Sequence, residues 1–521
     1  MVLPLVGVSF LAAAAAPIPT LHPFLADIEV GIQSVNWPMV FFISLVVIDN
    51  IIRITALFIV PPNRKPGSAM AWLMAIFLLP IPAIIVFAII GNKNLPKARE
   101  AKQVAVNDAV ASIARREAAE SPVSKDMMPV DVVGALTLGQ ALGAQPVLAG
   151  NSATVTIDYE GSFAAMAQAI DAAKDYVHVE FYILQHDKTT DVIFQALRRA
   201  KDRGVTVRVL LDHIASVSNP LVKETRKSLD EVATQWSYML PVRPLRGEYQ
   251  RPDLRNHRKI LVIDGKVGFM GSQNMVDSTY NKKANLKKGL HWRDIIVQVR
   301  GPIVLGLEAV FQGDWFLETG EVLTDLKEEK VPTIDRSGTL LCQIVPSGPG
   351  YGDENNLQVF VALMYTAQKR ISITSPYFVP DSSIMHALRA ATARGVEVEL
   401  FVSETGDQAM VYHAQRSYYD ELLRAGVRIW MFRPPYILHS KHFTIDDSVA
   451  VIGSSNMDER SFNLNMEVSM VVYGSDFVEK IDEVSDYYRA NSRELTMEEW
   501  SQQSWRSHLL DNLARLTSAL Q

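Results

Sequence analysis

The stretch His257-Arg258-Lys259-Ile260-Leu261-Val262-Ile263-Asp264 decides the reading of this chain, because its pattern returns as His439-Ser440-Lys441-His442-Phe443-Thr444-Ile445-Asp446. After six intervening residues each copy is followed by the same trailer, Gly271-Ser272-Gln273-Asn274 in the first and Gly453-Ser454-Ser455-Asn456 in the second. One His-x-Lys-x4-Asp match arises by chance. Two matches with one trailer at one offset indicate a repeated unit. The flanks agree. Apolar runs at 175–183 and 370–375 read as buried strands, and helical periodicity follows at 190–203 and 382–394. Gly204 and Gly395 stand where a helix C-terminal cap belongs, and strand-like runs resume at 205–211 and 396–402. The expectation is an α/β fold: two homologous halves, 136–330 and 331–521, joined near 325–340. Each half should be a mostly parallel sheet sandwiched by helices.

Both motifs run into strands, where side chains two apart share a face. His257 and Lys259 therefore point together, as do His439 and Lys441. A histidine beside a fixed ammonium suits a site that holds a phosphate and attacks it. Two such pairs facing one phosphorus atom would let a neutral imidazole attack while a protonated one serves the departing alkoxide. The unperturbed histidine pKa near ~6.5 permits either state. Lys259, Lys441, Asn274 and Asn456 are expected to stabilise the non-bridging oxygens, with Ser272 and Ser454 in support. Asp294 of Trp292-Arg293-Asp294 and Glu467 of Asn463-x-Asn465-x-Glu467 are candidates to orient the imidazoles and raise their pKa. Asp264 and Asp446 complete the motif set and are expected to fix local geometry more than to move protons. Tyr182 and Tyr377, at equivalent strand ends, either line the pocket or pack in the core.

Bulk properties narrow the classes. The net charge of −6 argues against nucleic acid as a partner. A lone cysteine, Cys342, excludes an intrachain disulfide framework and a cysteine-rich metal site. The eleven histidines show no zinc-type spacing, so chemistry with neither metal nor cofactor is expected. No Lys or Arg occurs before Arg53; residues 1–36 form an apolar segment, and 1–19 lacks the basic start of a cleaved signal sequence. Segments of about 37–60 and 69–90 read as a transmembrane hairpin within 37–92, the first interrupted by an Asp49–Arg53 pair four apart, the second kinked by Pro80 and Pro82. Buried core helices are the alternative. Residues 93–135 read as a helical linker. The basic run 281–288 is either a solvated loop or a contact for anionic headgroups. Trp505, Leu509, Leu513, Leu516 and Leu520 form an apolar helical face that would pack against the domain or lie at a membrane interface.

The paired His-x-Lys-x4-Asp motifs identify a member of the phospholipase D superfamily. With the apolar hairpin, Trp292-Arg293-Asp294, and Gly453-Ser454-Ser455-Asn456-Met457-Asp458-Glu459-Arg460-Ser461-Phe462, the chain resembles bacterial cardiolipin synthases of that superfamily over nearly its whole length. The resemblance implies phosphatidyl transfer between two phosphatidylglycerol molecules, giving cardiolipin and glycerol through a phosphohistidine. It implies His257 as nucleophile and His439 as acid/base. It also implies a multi-pass protein of the bacterial inner membrane, which the positive-inside rule orients with the large domain cytoplasmic; a homo-oligomer is left open. A membrane-anchored phospholipase D, with water as acceptor, is the rival reading.

Overall fold

The computed structural model describes residues 36–518 except 63, 92–96, 121–122, 124–127, 129, 247, 324–333 and 353. The apolar segment 1–35, Leu520 and most of the junction expected near 325–340 lie outside the described residues. Residue contacts divide the chain into two units, Met1–Gly91 and Asn92–Gln521.

In the first unit, α1 (Trp37–Ile59) begins under an Asn36 cap, whose side chain accepts from the Met39 amide at 3.2 Å. At ~1.5 Å per residue it is about 34 Å long, enough for a bilayer core. Asp49 and Arg53 pair at 2.9 Å, as their spacing requires. Phe41, Phe42 and Phe58 are 66%, 66% and 75% exposed, the opposite of a soluble core helix. The second apolar segment is not one continuous span. It divides into α2 (Pro66–Leu78) and α3 (Pro80–Ile90), with Leu79 at φ −135°, ψ 72° between them. Pro80 has no N–H to continue the ladder and disfavours helical geometry in the residue before it. Among the described residues, one helix, α1, is long and apolar enough to cross a membrane by itself. Ala56, Val60, Ile76, Ala83 and Phe87 pack the three helices together.

The second unit opens with α4 (Lys97–Glu120). It lies along a later helix through Val106 and Val110. Then come β1 (Leu148–Thr156), α5 (Tyr159–Asp171), β2 (Tyr176–Phe181), α6 (Asp191–Asp202), β3 (Thr206–Asp212), β4 (Gln235–Met239), β5 (Arg255–Asn256), β6 (Lys259–Ile263) and β7 (Val267–Gly271). β8 (His291–Arg293), β9 (Ile296–Arg300) and the buried α7 (Ile303–Thr319) complete this stretch; α7 is the helix that α4 covers. A second series follows: β10 (Leu340–Ser347), β11 (Arg370–Thr374), α8 (Ser382–Ala393), β12 (Glu397–Ser403), β13 (Arg428–Phe432), β14 (Tyr436–Leu438), β15 (His442–Ile445), β16 (Val449–Gly453), β17 (Asn465–Tyr473), α9 (Ser475–Ala490), β18 (Ser492–Leu495) and α10 (Trp505–Arg515).

One large sheet runs β18-β13-β12-β11-β15-β16-β17-β10-β1-β9-β7-β6-β2-β3-β4, with β5 added alongside β17. The sheet is mixed, not mostly parallel. Parallel pairing holds for β2-β3-β4 and β11-β12-β13, where helices such as α6 and α8 make the crossovers. The motif strands β6 and β15 instead fold straight back as antiparallel hairpins onto β7 and β16, because connections of a few residues can only reverse the chain. The centre, β17-β10-β1-β9, is antiparallel as well. The C-terminal apolar face does not pack inward: Trp505, Leu509, Leu513 and Leu516 are exposed. α10 is held by its other side, through Asp511 to His413 at 2.7 Å and to Arg416 at 3.3 Å.

Candidate active site

Each motif aspartate explains its own place in the pattern. Asp264 and Asp446 both have φ near +50°, in the left-handed region that a short polar side chain tolerates. The Asp264 carboxylate accepts from the amides of Lys174, Asp175 and Tyr176 at 2.8–2.9 Å. Asp446 accepts from Gln368, Lys369 and Arg370 at 2.7–2.9 Å. They turn the hairpins and cap β2 and β11 at the end of the strand away from the histidines.

At the other end the two motifs meet. His257 Nδ1 lies 3.0 Å from both carboxylate oxygens of Glu467, 210 residues away, and His439 Nδ1 lies 2.7 Å from Asp294 Oδ1, 145 residues away. The orienting carboxylates are therefore exchanged: the first series orients the second histidine, and the second series the first. The backbone makes the same exchange. The His257 amide donates to Met466 O at 2.9 Å beside the β5–β17 pairing, and the His439 amide donates to Arg293 O at 2.7 Å beside the β8–β14 pairing. Burial alone would push both carboxyls up, but the adjacent imidazoles, lysines and serine hydroxyls hold Glu467 and Asp294 below their ordinary range. Ionised carboxylates only accept, so each Nδ1 carries the proton and each Nε2 keeps its lone pair.

The trailers serve this arrangement. Ser272 Oγ donates to Asp294 Oδ1 at 2.6 Å, and Ser454 Oγ donates to Glu467 Oε2 at 2.5 Å. Gly271 and Gly453 are needed for close approach: a Cβ at either would sit 2.3 Å from a carbonyl oxygen, of Ile295 or of Val468. Asn274 is already engaged, accepting from the Ile183 amide at 3.3 Å and donating to Tyr280 Oη at 2.9 Å, while Asn456 Oδ1 is buried without a partner among the described residues.

Burial sets the charge state. It pushes His257 down to about 4 and His439 to about 3, and the raising effect of Glu467 and Asp294 does not overcome it. Each carboxylate does raise its imidazole's pKa, as expected, but by less than burial lowers it. Burial likewise lowers Lys259 to about 7 and Lys441 to about 8. Their ammonium groups rest on the carbonyls of His257 and His439 at 2.5 and 2.6 Å.

Tyr182 packs edge-on to His257 with centroids 4.8 Å apart, and Tyr377 lies 6.3 Å from His439. Three neighbours were not singled out as site residues from the sequence. Trp292 packs edge-on to His439 at 4.7 Å, Tyr280 stands 6.4 Å from that ring, and Asp407 accepts from Tyr377 Oη at 2.9 Å. Trp292 was visible as part of its triplet; Tyr280 and Asp407 lie in loops without a repeated pattern.

Comparison with known proteins bears on the family and the fold. A family model described as cardiolipin synthase, PLD-like domain, matches residues 166–315 and 360–488. The cardiolipin synthase of Geobacillus kaustophilus is 32% identical over 473 residues, 89% of this chain and 91% of that protein. Cardiolipin synthase A of Pseudomonas putida (strain W619) is 32% identical over 90% of this chain and 95% of its own length. The crystal structure of phosphatidylserine synthase from Haemophilus influenzae shares the fold, with a TM-score of 0.57 at 14% identity over 74% of this chain and 99% of that one. With the family's domain matched in both series and such relatives aligned over about nine-tenths of the chain, the chain belongs to the cardiolipin synthase family of phospholipase D-like proteins.

Proposed function

We propose that this enzyme transfers a phosphatidyl group from one phosphatidylglycerol to a glycerol hydroxyl of a second, releasing glycerol and forming cardiolipin. The observation that carries the reading is the exchange of carboxylates, which binds two histidines and two buried ammonium groups into one site. His257 Nε2 attacks phosphorus; the N–P bond forms as the P–O bond to glycerol breaks, and His439 gives its proton to the departing oxygen. A second phosphatidylglycerol then attacks the phosphohistidine, His439 takes the hydroxyl proton, and the N–P bond breaks. His439 must be protonated for the first step. The phosphodiester anion supplies that shift, since a nearby negative charge favours imidazolium. Lys259 and Lys441 meet the charge that grows on the non-bridging oxygens, with Asn456 and Asn274 beside them; one such donor is worth about 10²–10³ in rate.

Asp294 and Glu467 keep each ring in the tautomer that presents Nε2. Residues 136–330 and 331–521 act as duplicated halves, each completing the other's site. The apolar helices of residues 37–90 anchor the enzyme in the bacterial inner membrane as a multi-pass hairpin, α2 and α3 together making the return, with the catalytic unit on the cytoplasmic side. Anchoring keeps donor and acceptor at high local concentration.

The test is a product assay in mixed micelles with phosphatidylglycerol as the only phospholipid. Cardiolipin and glycerol in equal amounts are expected. Phosphatidic acid in place of cardiolipin would mean that water takes the intermediate and the enzyme is a phospholipase.

A further inference from the structure

The surroundings of His439 have the composition of a cation cage. Trp292, Tyr280 and Tyr377 present rings to the imidazole at 4.7, 6.4 and 6.3 Å, and the Asp407 side chain, 4% exposed, closes the group. Aromatic faces around a carboxylate are what recognises a choline-like or ethanolamine-like headgroup. Here, however, the cage contains a cation of its own. Lys282 Nζ lies 5.8 Å from the Tyr280 ring centre, 5.9 Å from that of Trp292 and 3.8 Å from Asp407 Oδ2, beyond hydrogen-bond reach.

The backbone is bent to put it there. Tyr280 and Asn281, immediately before Lys282, both adopt left-handed geometry, with φ of +58° and +53°. Two consecutive non-glycine residues in that region are costly and persist only where their surroundings hold them. They are held: the Tyr280 amide donates to Asp277 O at 2.7 Å, its hydroxyl accepts from Asn274 of the first trailer, and Asn281 Nδ2 donates to Gln185 Oε1 and Asp187 Oδ2, both at 2.9 Å.

We propose that this cage is the alcohol-selecting subsite of the enzyme, and that Lys282 fills its cation position so that an uncharged polyol is used in place of a cationic alcohol. The inference rests on the reading that His439 serves as acid and base for the alcohols. Leaving glycerol and incoming hydroxyl both pass through that imidazole, so one subsite selects both. Asp407 accepts from a glycerol hydroxyl while the Lys282 ammonium, on a half-exposed side chain, donates to the neighbouring one. Without Lys282, the buried carboxylate loses its nearer cation and the Tyr280 and Trp292 rings lose theirs, and a cationic alcohol takes that place.

The experiment is a competition for a single intermediate. Full-length enzyme in micelles of phosphatidylglycerol receives equal concentrations of radiolabelled glycerol and ethanolamine, and labelled phosphatidylglycerol and phosphatidylethanolamine are counted from the same tube. The ratio does not depend on how much enzyme is folded. Wild type should incorporate glycerol in large excess, and Lys282→Ala and Lys282→Gln should each move the ratio towards ethanolamine by tenfold or more. Lys282→Arg, which keeps the cation, should stay near wild type. An unchanged ratio in both neutral variants, or loss of all product in both, would overturn the proposal. Wild type that makes neither cardiolipin nor any labelled phospholipid would instead overturn the proposed reaction, which keeps the two failures apart.

Discussion

His257 and His439 occupy the same place in the same motif, yet the two are secured by different chemistry. Around His257 the supports are buried charges. Arg258, between the histidine and the lysine, pairs with Asp314 on α7 and donates to Glu467 O at 3.0 Å. The Asn256 amide donates to Asp212 Oδ2 at 3.0 Å, and Arg255 completes that cluster at 3.2 Å. Around His439 the corresponding supports are neutral. Ser440 shares a hydrogen bond with Tyr488 Oη at 2.6 Å, and the Leu438 amide donates to Ser403 Oγ at 2.7 Å. Glu467 places both oxygens on His257, whereas Asp294 uses one, its Oδ2 being unpartnered among the described residues. Among the described residues, His439 stands beside three aromatic rings and His257 beside one. What recurs in the two motifs is what the proposed reaction at phosphate calls for: histidine, lysine, serine-held carboxylate and turn aspartate. What differs fits a division of labour. A nucleophile that bonds to phosphorus gains from a rigid seat, while an acid/base that meets changing alcohols gains from a shaped surrounding.

The largest expected effect breaks the symmetry chemically. His257→Ala and His439→Ala should each reduce cardiolipin formation by at least about 10²–10⁴-fold, the usual worth of such a group. A donor with a p-nitrophenol leaving group needs no general acid, so with it His439→Ala and Asp294→Asn should still release nitrophenol and accumulate covalently labelled protein, and His257→Ala should not. Labelling of His257→Ala with loss of labelling in His439→Ala would reverse the assigned roles.

An intermediate effect concerns stability. Asp314→Asn leaves the buried Arg258 guanidinium without its counter-charge and should cost about 3–5 kcal/mol in denaturant unfolding. Ser440→Ala, at the equivalent place, removes one neutral hydrogen bond and should cost about 1 kcal/mol. Equal losses would remove the distinction between charged and neutral supports.

The smallest effect is a matter of pH. Because Lys259 and Lys441 are lowered to about 7 and 8, kcat/KM should fall as pH rises through that range and the ammonium groups that capture phosphate are lost. Stability should move the other way. Between those values and the ordinary 10.5, the unfolded chain binds more protons than the folded one, so the lysines' contribution to stability rises with pH. On the acid side the histidines, ordinarily 6.5 but held near 4 and 3, lower stability as pH drops below 6.5 towards those values. Opposite slopes of kcat/KM and unfolding free energy above neutrality are the expected outcome. A level kcat/KM there would remove the lysines from substrate capture.

The repeated motif, the strands that carry it and a proline distortion of the second apolar segment were legible in the sequence, because each depends on neighbours within a few residues: the alternation of a strand, the turn tolerance of aspartate, the missing N–H of proline. Tertiary structure alone decided which carboxylate serves which histidine, since partners 145 and 210 residues apart leave no local trace. It decided that the sheet is mixed, because strand direction outside the helical crossovers depends on which hairpins meet. It also decided how far the site is buried, which no motif spells out and which lowers the pKa of both imidazoles by more than the carboxylates raise it.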